Sequence, residues 1–384
     1  MMLKNMNHSF GLSTLLALFF ASALFWMNIG EASIWTNWTE YPSNPVYSPG
    51  KAYYPDVIYD ANRFGDNSAY YKMWYEDLTG IGLAYSDDGI NWTDIDSQVL
   101  PADAAHPDVL YDANGFGVVG GYNYKMWYWD SGEPLTSITT IAFTQSTDGE
   151  NWTTPIACSQ DSTQYLVSGA STGYFYNLYG PGTVKYNPNA TSTLGDPYSY
   201  PYVMLFDSVS NGGLGGSEQT GLAYSTDGLF WIRYGAVPVM IPTQNPSDWD
   251  SQYMYQAHYI KVAGVYHAFY SGSNGNPLGS LGNTTAHGIG HASSVDGITW
   301  IRDPDNPIFI VTDGLAWRNG RTYTSSPLLQ NSGGTDSCGS GSCILKMWFA
   351  GFNASDVASI GYATAPYAKK VIMQSKWQNH LINQ

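Results

Sequence analysis

The sequence predicts an all-β fold, a five-bladed β-propeller whose ring is closed by an N-terminal strand completing the last blade. Three observations carry this. The phrase Ser-x-Asp-Gly-x-x-Trp occurs at Ser86–Trp92, Ser146–Trp152, Ser225–Trp231 and Ser294–Trp300, with Asp-to-Asp steps of 60, 79 and 69 residues. Repeats of this size indicate one supersecondary unit used several times. Around each copy lie four short β-branched or aromatic runs separated by Gly, Asn, Asp and Ser, the signature of strands and turns. Finally, a fifth unit lacks the phrase and its fourth strand, and a spare strand sits at the other end of the chain.

The elements follow in order. Unit one reads Tyr54-Pro55-Asp56-Val57-Ile58-Tyr59, then Tyr71-Lys72-Met73-Trp74-Tyr75, Ile81-Gly82-Leu83-Ala84-Tyr85-Ser86 and Asn91-Trp92-Thr93. Unit two repeats it as His106-Pro107-Asp108-Val109-Leu110-Tyr111, Tyr124-Lys125-Met126-Trp127-Tyr128, Thr140–Thr144 and Asn151-Trp152-Thr153. Unit three spans about 180–240 and unit four about 256–311. Unit five has Ser325–Leu329, Lys346-Met347-Trp348-Phe349 and Ser359–Thr364. Asn37-Trp38-Thr39-Glu40-Tyr41 supplies the missing strand, and pairing it with unit five removes free sheet edges.

The organisation expected is a signal peptide over 1–32, the propeller over 33–368 and a C-terminal tail over 369–384. Lys4, the uncharged apolar run Leu12–Met27 and Gly30-Glu31-Ala32 fit an export signal, with an uncleaved anchor as the alternative. A secreted or periplasmic location follows, with no membrane association once the signal is removed. In an exported chain Cys338 and Cys343 suit a local disulfide, leaving Cys158 as an inert thiol. Net charge is −16 without a Lys/Arg-rich stripe, which excludes a nucleic-acid partner.

In a propeller the strands run from the axis outward as A, B, C and D. The repeated phrase is the C-to-D turn and lies on the face away from the chemistry. The five A strands begin at the opposite mouth with Tyr54-Pro55-Asp56, His106-Pro107-Asp108, Tyr179-Gly180-Pro181, Tyr255-Gln256-Ala257-His258 and Tyr323-Thr324-Ser325. B-to-C loops surround them, offering Glu76 and Asp77, Trp129, Asp130 and Glu133, Asp207 to Glu218, Ser271 to His287, and Asn353 with Asp356. Aromatic platforms beside Asp, Glu, Asn and His suit a carbohydrate partner, since rings stack on sugar faces while polar groups bond hydroxyls. Trp129, Trp249 and Trp317 are the candidate platforms.

The run Pro-x-Val, Tyr-x-Met-Trp-Tyr and Ile-Gly-x-Ala-x-Ser-x-Asp-Gly-Ile-x-Trp, with His287–Trp300 as its fullest copy, resembles the five-bladed propeller glycosidases of the arabinanase/β-xylosidase and invertase/levansucrase type, glycoside hydrolase families 43 and 32 and their relatives. The resemblance covers about 36–365. It implies a glycoside hydrolase acting on an arabinose-, xylose- or fructose-containing glycan through carboxylates on the inner strands of successive blades. Asp56 would be the base and Asp108 its modulator. The family's Asp commonly precedes the Pro, where Tyr54 and His106 stand here, and its blade-three Glu is replaced in Tyr179-Gly180-Pro181. The acid would then come from Glu218 or Asp207. Tyr54, His106, Trp129, Tyr179, Gln256, His258 and Tyr323 would contact substrate. No cofactor is required, and His258 leaves room for calcium or another ion in the central channel. The alternatives are a non-catalytic carbohydrate-binding or adhesion propeller and a surface protein with a plugged channel.

Overall fold

The computed structural model describes residues 37–130, 140–158, 173–211, 216–275, 287–311, 315–331 and 343–367. The predicted signal peptide, the C-terminal tail, Glu133 and Cys338 lie outside these residues. Blade one consists of β2 (Tyr53–Tyr59), β3 (Tyr71–Glu76), β4 (Ile81–Ser86) and β5 (Trp92–Leu100). Blade two consists of β6 (Ala104–Tyr111), β7 (Tyr124–Asp130), β8 (Thr140–Ser146) and β9 (Ile156–Ala157). Blade three is β10 (Gly173–Tyr186), β11 (Tyr202–Asn211), β12 (Glu218–Ser225) and β13 (Trp231–Arg233). Blade four is β14 (Tyr253–Val262), β15 (Val265–Ser273), β16 (His287–Ser294), β17 (Ile301–Arg302) and β18 (Phe309–Ile310). Blade five is β19 (Arg321–Asn331), β20 (Cys343–Phe352) and β21 (Ala358–Tyr367), completed by β1 (Thr39–Glu40).

The N-terminal strand therefore lies where the repeat placed it. Thr39 pairs with Thr364 and Glu40 with Ala363, antiparallel. The inner strands β2, β6, β10, β14 and β19 touch in cyclic order, β19 returning to β2. Fully buried Arg318 pairs with Glu40 and donates to the Ile310 carbonyl of blade four at 2.9 Å, tying β1 to the neighbouring blade.

The repeated phrase acts between blades. In each copy an Asp carboxylate caps the turn; Asp88 Oδ1 accepts from the backbone N–H groups of Ile90 at 2.8 Å and Asn91 at 2.7 Å. Gly89 follows at φ 77°, a conformation that favours glycine. The carbonyl of the turn glycine then accepts an indole N–H from the B strand of the preceding blade. Trp74 reaches Gly149 at 3.1 Å, Trp127 reaches Gly228 at 2.6 Å and Trp348 reaches Gly89 at 2.7 Å. Where blade three has Leu205 at this register, the Tyr198 hydroxyl donates to Gly297 instead, at 2.9 Å. Blade four has Phe269 there, and Trp38 from the N-terminal segment packs edge-on against it at 5.9 Å. The latch is missing at the blade whose neighbour lacks the turn.

Two of the proposed platforms are packing residues. The Trp249 ring lies over Gly272 and Gly290, and the Trp317 ring over Gly351 and Gly361; a Cβ at any of these glycines would fall within 2.3–2.7 Å of a ring atom. The B and C strands of blades four and five carry glycine there because an indole covers them. Cys158 is a buried free thiol, as expected. No helix among the described residues is long and apolar enough to cross a membrane.

Candidate functional site

Every A strand carries the same irregularity near the mouth. Register shifts fall between Tyr53 and Asp56, Ala105 and Asp108, Leu178 and Gly180, Tyr255 and His258, and Tyr323 and Ser325. At each, one residue has positive φ: Tyr54 (49°), His106 (51°), Gly180 (115°), Gln256 (50°) and Thr324 (46°). Left-handed non-glycine residues are uncommon and mark imposed geometry. Five occurrences in five blades assign the bulge to the fold. What the sequence varies is the side chain that each bulge aims at the mouth.

Two levels of polar groups result. At the upper level, the residue directly after the Tyr-x-Met-Trp-Tyr register of the B strand bonds the bulge residue of the next blade. Glu76 Oε2 accepts from the His106 N–H at 3.1 Å, Asp207 Oδ2 from the Gln256 N–H at 2.8 Å, and Ser271 Oγ from the Thr324 N–H at 2.7 Å. One level down, Asp56 Oδ2 accepts from the Val109 N–H at 2.6 Å, Asp108 Oδ2 from the Val184 N–H at 2.8 Å, and Ser326 Oγ from the Val57 N–H at 2.9 Å. Asp207 thus stands within β11, paired with Thr220 and Gly180, rather than in a loop. Its register with Glu76 makes it a blade-to-blade tie. Its other oxygen, Oδ1, is buried and has no hydrogen-bond partner among the described residues.

The lower level converges on the axis. Ligand atoms of Asp56, Asp108 and His258 lie within 4.8 Å of one another, all buried. Burial and then the neighbouring Asp108 raise the Asp56 carboxyl well above the usual range. Burial also raises Asp108, opposed by the Lys185 ammonium and the Val184 N–H. Burial and Lys185 push His258 down to about 3, so its imidazole is neutral. Two carboxyls and a neutral imidazole are hard and borderline donors that fit a divalent cation completed by water. A cation there would favour the ionised form of both carboxyls, against the effect of burial. These residues fit the central ion that the sequence left room for.

The upper level forms the mouth. Burial raises Glu76 to about 7 against the bonds from Tyr53 and His106, and burial raises Glu218 to about 7 as well. Both carboxylates add to the charge felt by the Tyr54 and Tyr255 or Tyr323 phenols around them. The half-buried Tyr54 ring stacks on His106 at 3.6 Å and 19°, and Trp129 stacks on Tyr179 at 5.5 Å and 22°. His106 Nδ1 lies 2.5 Å from the Tyr179 carbonyl and 3.4 Å from Gln256 Nε2. Burial pushes His106 down to about 3, so it donates Nδ1–H to that carbonyl as a neutral ring. Its Nε2 lies 3.5 Å from Glu76 Oε2.

The structure brings Tyr54, His106, Trp129, Tyr179, Gln256 and Tyr323 together at the mouth with Glu218, and places Asp56, Asp108 and His258 beneath them. Glu76, left among the loop residues in the sequence, belongs with Glu218. The signal that would have found it is the alignment of the B strands, which puts Glu76, Asp207 and Ser271 at one position. Gly180 also explains the absent blade-three acid. A Cβ there would meet the His106 and Trp129 side chains at 3.1 Å, on a backbone at φ 115°.

No protein-family model and no curated protein matches the chain. Solved structures do. A thermostable family-43 glycoside hydrolase superposes with a TM-score of 0.57 at 14% identity, over 85% of this chain and 93% of that one. A member of the GH130 family, described as containing glycoside hydrolases that target β-1,2 mannosidic linkages in Candida mannan, gives 0.54 at 15% identity, over 85% and 94%. An N-acetylgalactosamine deacetylase from F. plautii, in complex with blood group B trisaccharide, gives 0.57 at 13% identity, over 85% and 93%. The chain has the fold of the propeller glycosidase superfamily. At these identities the likeness concerns the fold, and reaction chemistry has to be argued from the mouth.

Proposed function

We propose that the protein is a glycoside hydrolase acting on a glycan at the mouth of the propeller, with Glu218 as general acid and Glu76 as the carboxylate that activates water. The observation that carries this is the pair of buried carboxyls at the mouth, each raised to about 7 and set among aromatic rings. Glycoside hydrolysis needs one protonated and one ionised carboxyl. A pKa near the working pH is what an acid–base catalyst requires. Glu218 would donate its proton to the leaving glycosidic oxygen. Glu76 would take a proton from water as that water attacks the anomeric carbon. His106 holds Glu76 through its backbone N–H, and Tyr53 bonds its carboxylate. Trp129 and Tyr179 offer ring faces to the sugar.

Asp56 and Asp108, expected from the sequence as base and modulator, are assigned to the floor. Each spends one oxygen on a backbone N–H of the next blade, and burial favours their protonated forms. An ion bound with His258 would supply positive charge beneath the site. Export from the cell and an arabinose-, xylose- or fructose-containing substrate remain part of this proposal.

The second reading, a non-catalytic carbohydrate-binding propeller, is favoured by the Tyr54–His106 stack, which fills part of the mouth. Purified protein assayed on aryl glycosides and polysaccharides separates the two. Turnover that Glu218→Gln and Glu76→Gln each reduce by about 10²-fold or more supports the enzyme. Glycan binding without turnover supports the module. Turnover indifferent to both substitutions but abolished by Asp56→Asn returns the base to Asp56.

A further inference from the structure

On the opposite face, between the outgoing ends of β10 and β14, lies a cleft of about 260 Å³ apart from the mouth. Its walls are tyrosine rings. Tyr186 and Tyr200 come from blade three and Tyr259 and Tyr266 from blade four, with Tyr198 behind them. Tyr198 is committed to the Gly297 carbonyl, and Tyr266 accepts from Lys261 Nζ at 2.7 Å. The hydroxyls of Tyr186, Tyr200 and Tyr259 make no hydrogen bond among the described residues, so the cleft offers ring faces and unused donors together.

Two ammonium groups complete it. Lys261 is exposed at the rim, its Nζ 4.2 Å from the Tyr266 ring centroid. Lys185 is half-buried, its Nζ 5.9 Å from the Tyr259 centroid, and it has no ion pair or hydrogen bond among the described residues. In a chain of net charge −16 and 15 basic residues, two lysines converging on one aromatic cleft form a local positive site. Tyrosine faces favour the apolar face of a sugar ring, free phenols bond its hydroxyls, and ammonium groups are point charges for an anion. A volume of this order accepts a single ring and little more.

We propose that this cleft is a second carbohydrate site, selective for a sugar unit that carries a carboxylate. The inference is independent of catalysis at the mouth. A glycan with acidic units would be held on this face while another chain end occupies the other.

The test is titration calorimetry of the full chain with glucuronate and galacturonate, beside galactose and acetate. The expected result is binding of a uronate, at least tenfold weaker binding of galactose and acetate, and at least tenfold loss in Lys185→Gln and Lys261→Gln. Glu218→Gln and Glu76→Gln should leave it unchanged. Circular dichroism and the melting temperature establish that each variant is folded. The proposal is overturned if no uronate binds at millimolar concentration, if acetate binds as well as the uronates, or if the mouth variants abolish binding while the cleft variants do not.

Discussion

The latch between blades permits a comparison in which most terms cancel. Trp74 and Trp348 occupy the same register of successive B strands, both are fully buried, and each donates its indole N–H to the turn glycine of the next blade. The receiving carbonyls differ. Gly89 O also accepts from the Trp92 indole at 3.2 Å, so it keeps a partner when Trp348 is replaced. At Gly149 the corresponding Trp152 indole nitrogen is buried with no partner among the described residues, so Gly149 O depends on Trp74. Replacing either by Phe leaves a similar cavity and a similar transfer loss. Trp348→Phe adds the net loss of one hydrogen bond, about 1 kcal/mol, whereas Trp74→Phe adds the cost of an orphaned buried acceptor, roughly 1–3 kcal/mol. Trp74→Phe should therefore be the more destabilising, by on the order of 1 kcal/mol. Equilibrium urea unfolding of both variants with unchanged m-values measures this. Equal losses, or a larger loss at Trp348, would refute the reasoning that carbonyl satisfaction distinguishes the two latches.

If Glu76 and Glu218 form the catalytic pair, kcat/KM should follow a narrow bell centred near pH 7, because one carboxyl must be ionised and the other protonated; a flat profile from pH 5 to 9 would contradict this. The same groups set a stability slope. Their folded pKa values are raised above the unfolded value, so the folded state binds more protons between about pH 4.5 and about pH 7, and unfolding free energy should fall as pH rises through that window. Urea unfolding at pH 5 and pH 7 checks the sign, and Glu76→Gln should make the slope shallower. Removing Glu40 by substitution with Ala leaves fully buried Arg318 without its carboxylate and should cost roughly 3–5 kcal/mol, read by chemical denaturation. A divalent cation that binds Asp56, Asp108 and His258 should raise the melting temperature, and His258→Ala should abolish that increment while leaving the cation-free protein folded.

The architecture was legible because the repeat is written in residues with local duties. Ser86, Asp88 and Gly89 cap one turn and recur wherever that turn recurs, and Trp38 marks the strand that substitutes for the missing one. The site was less legible, for a physical reason. The family resemblance points to the starts of the A strands, where it implies carboxylates. Those positions hold left-handed bulges that the fold imposes five times over, and Gly180 shows how little room one of them leaves. Asp56 and Asp108, two residues further in, looked catalytic by type, yet each is turned to a backbone N–H of its neighbour.

The same repeat logic separates Glu76 from Asp207. Both are the sixth residue of their B strands and both bond the bulge residue of the next blade. Asp207, with the shorter side chain, stays at 1% exposure, while Glu76 reaches 9% and bears on the phenols of the mouth. One extra methylene is the difference between a structural tie and a carboxylate that can address a substrate. The prediction is specific. Glu76→Asp should keep the hydrogen bond to the His106 N–H and the stability of the blade junction, while lowering kcat with little change in KM. A variant that keeps full turnover would place the reactive carboxylate elsewhere, and one that fails to fold would mean the junction tolerates only the longer side chain. Glu76→Gln, which preserves length and accepts the same bond, decides between those outcomes: folded and inactive is expected, folded and active excludes Glu76 from the reaction.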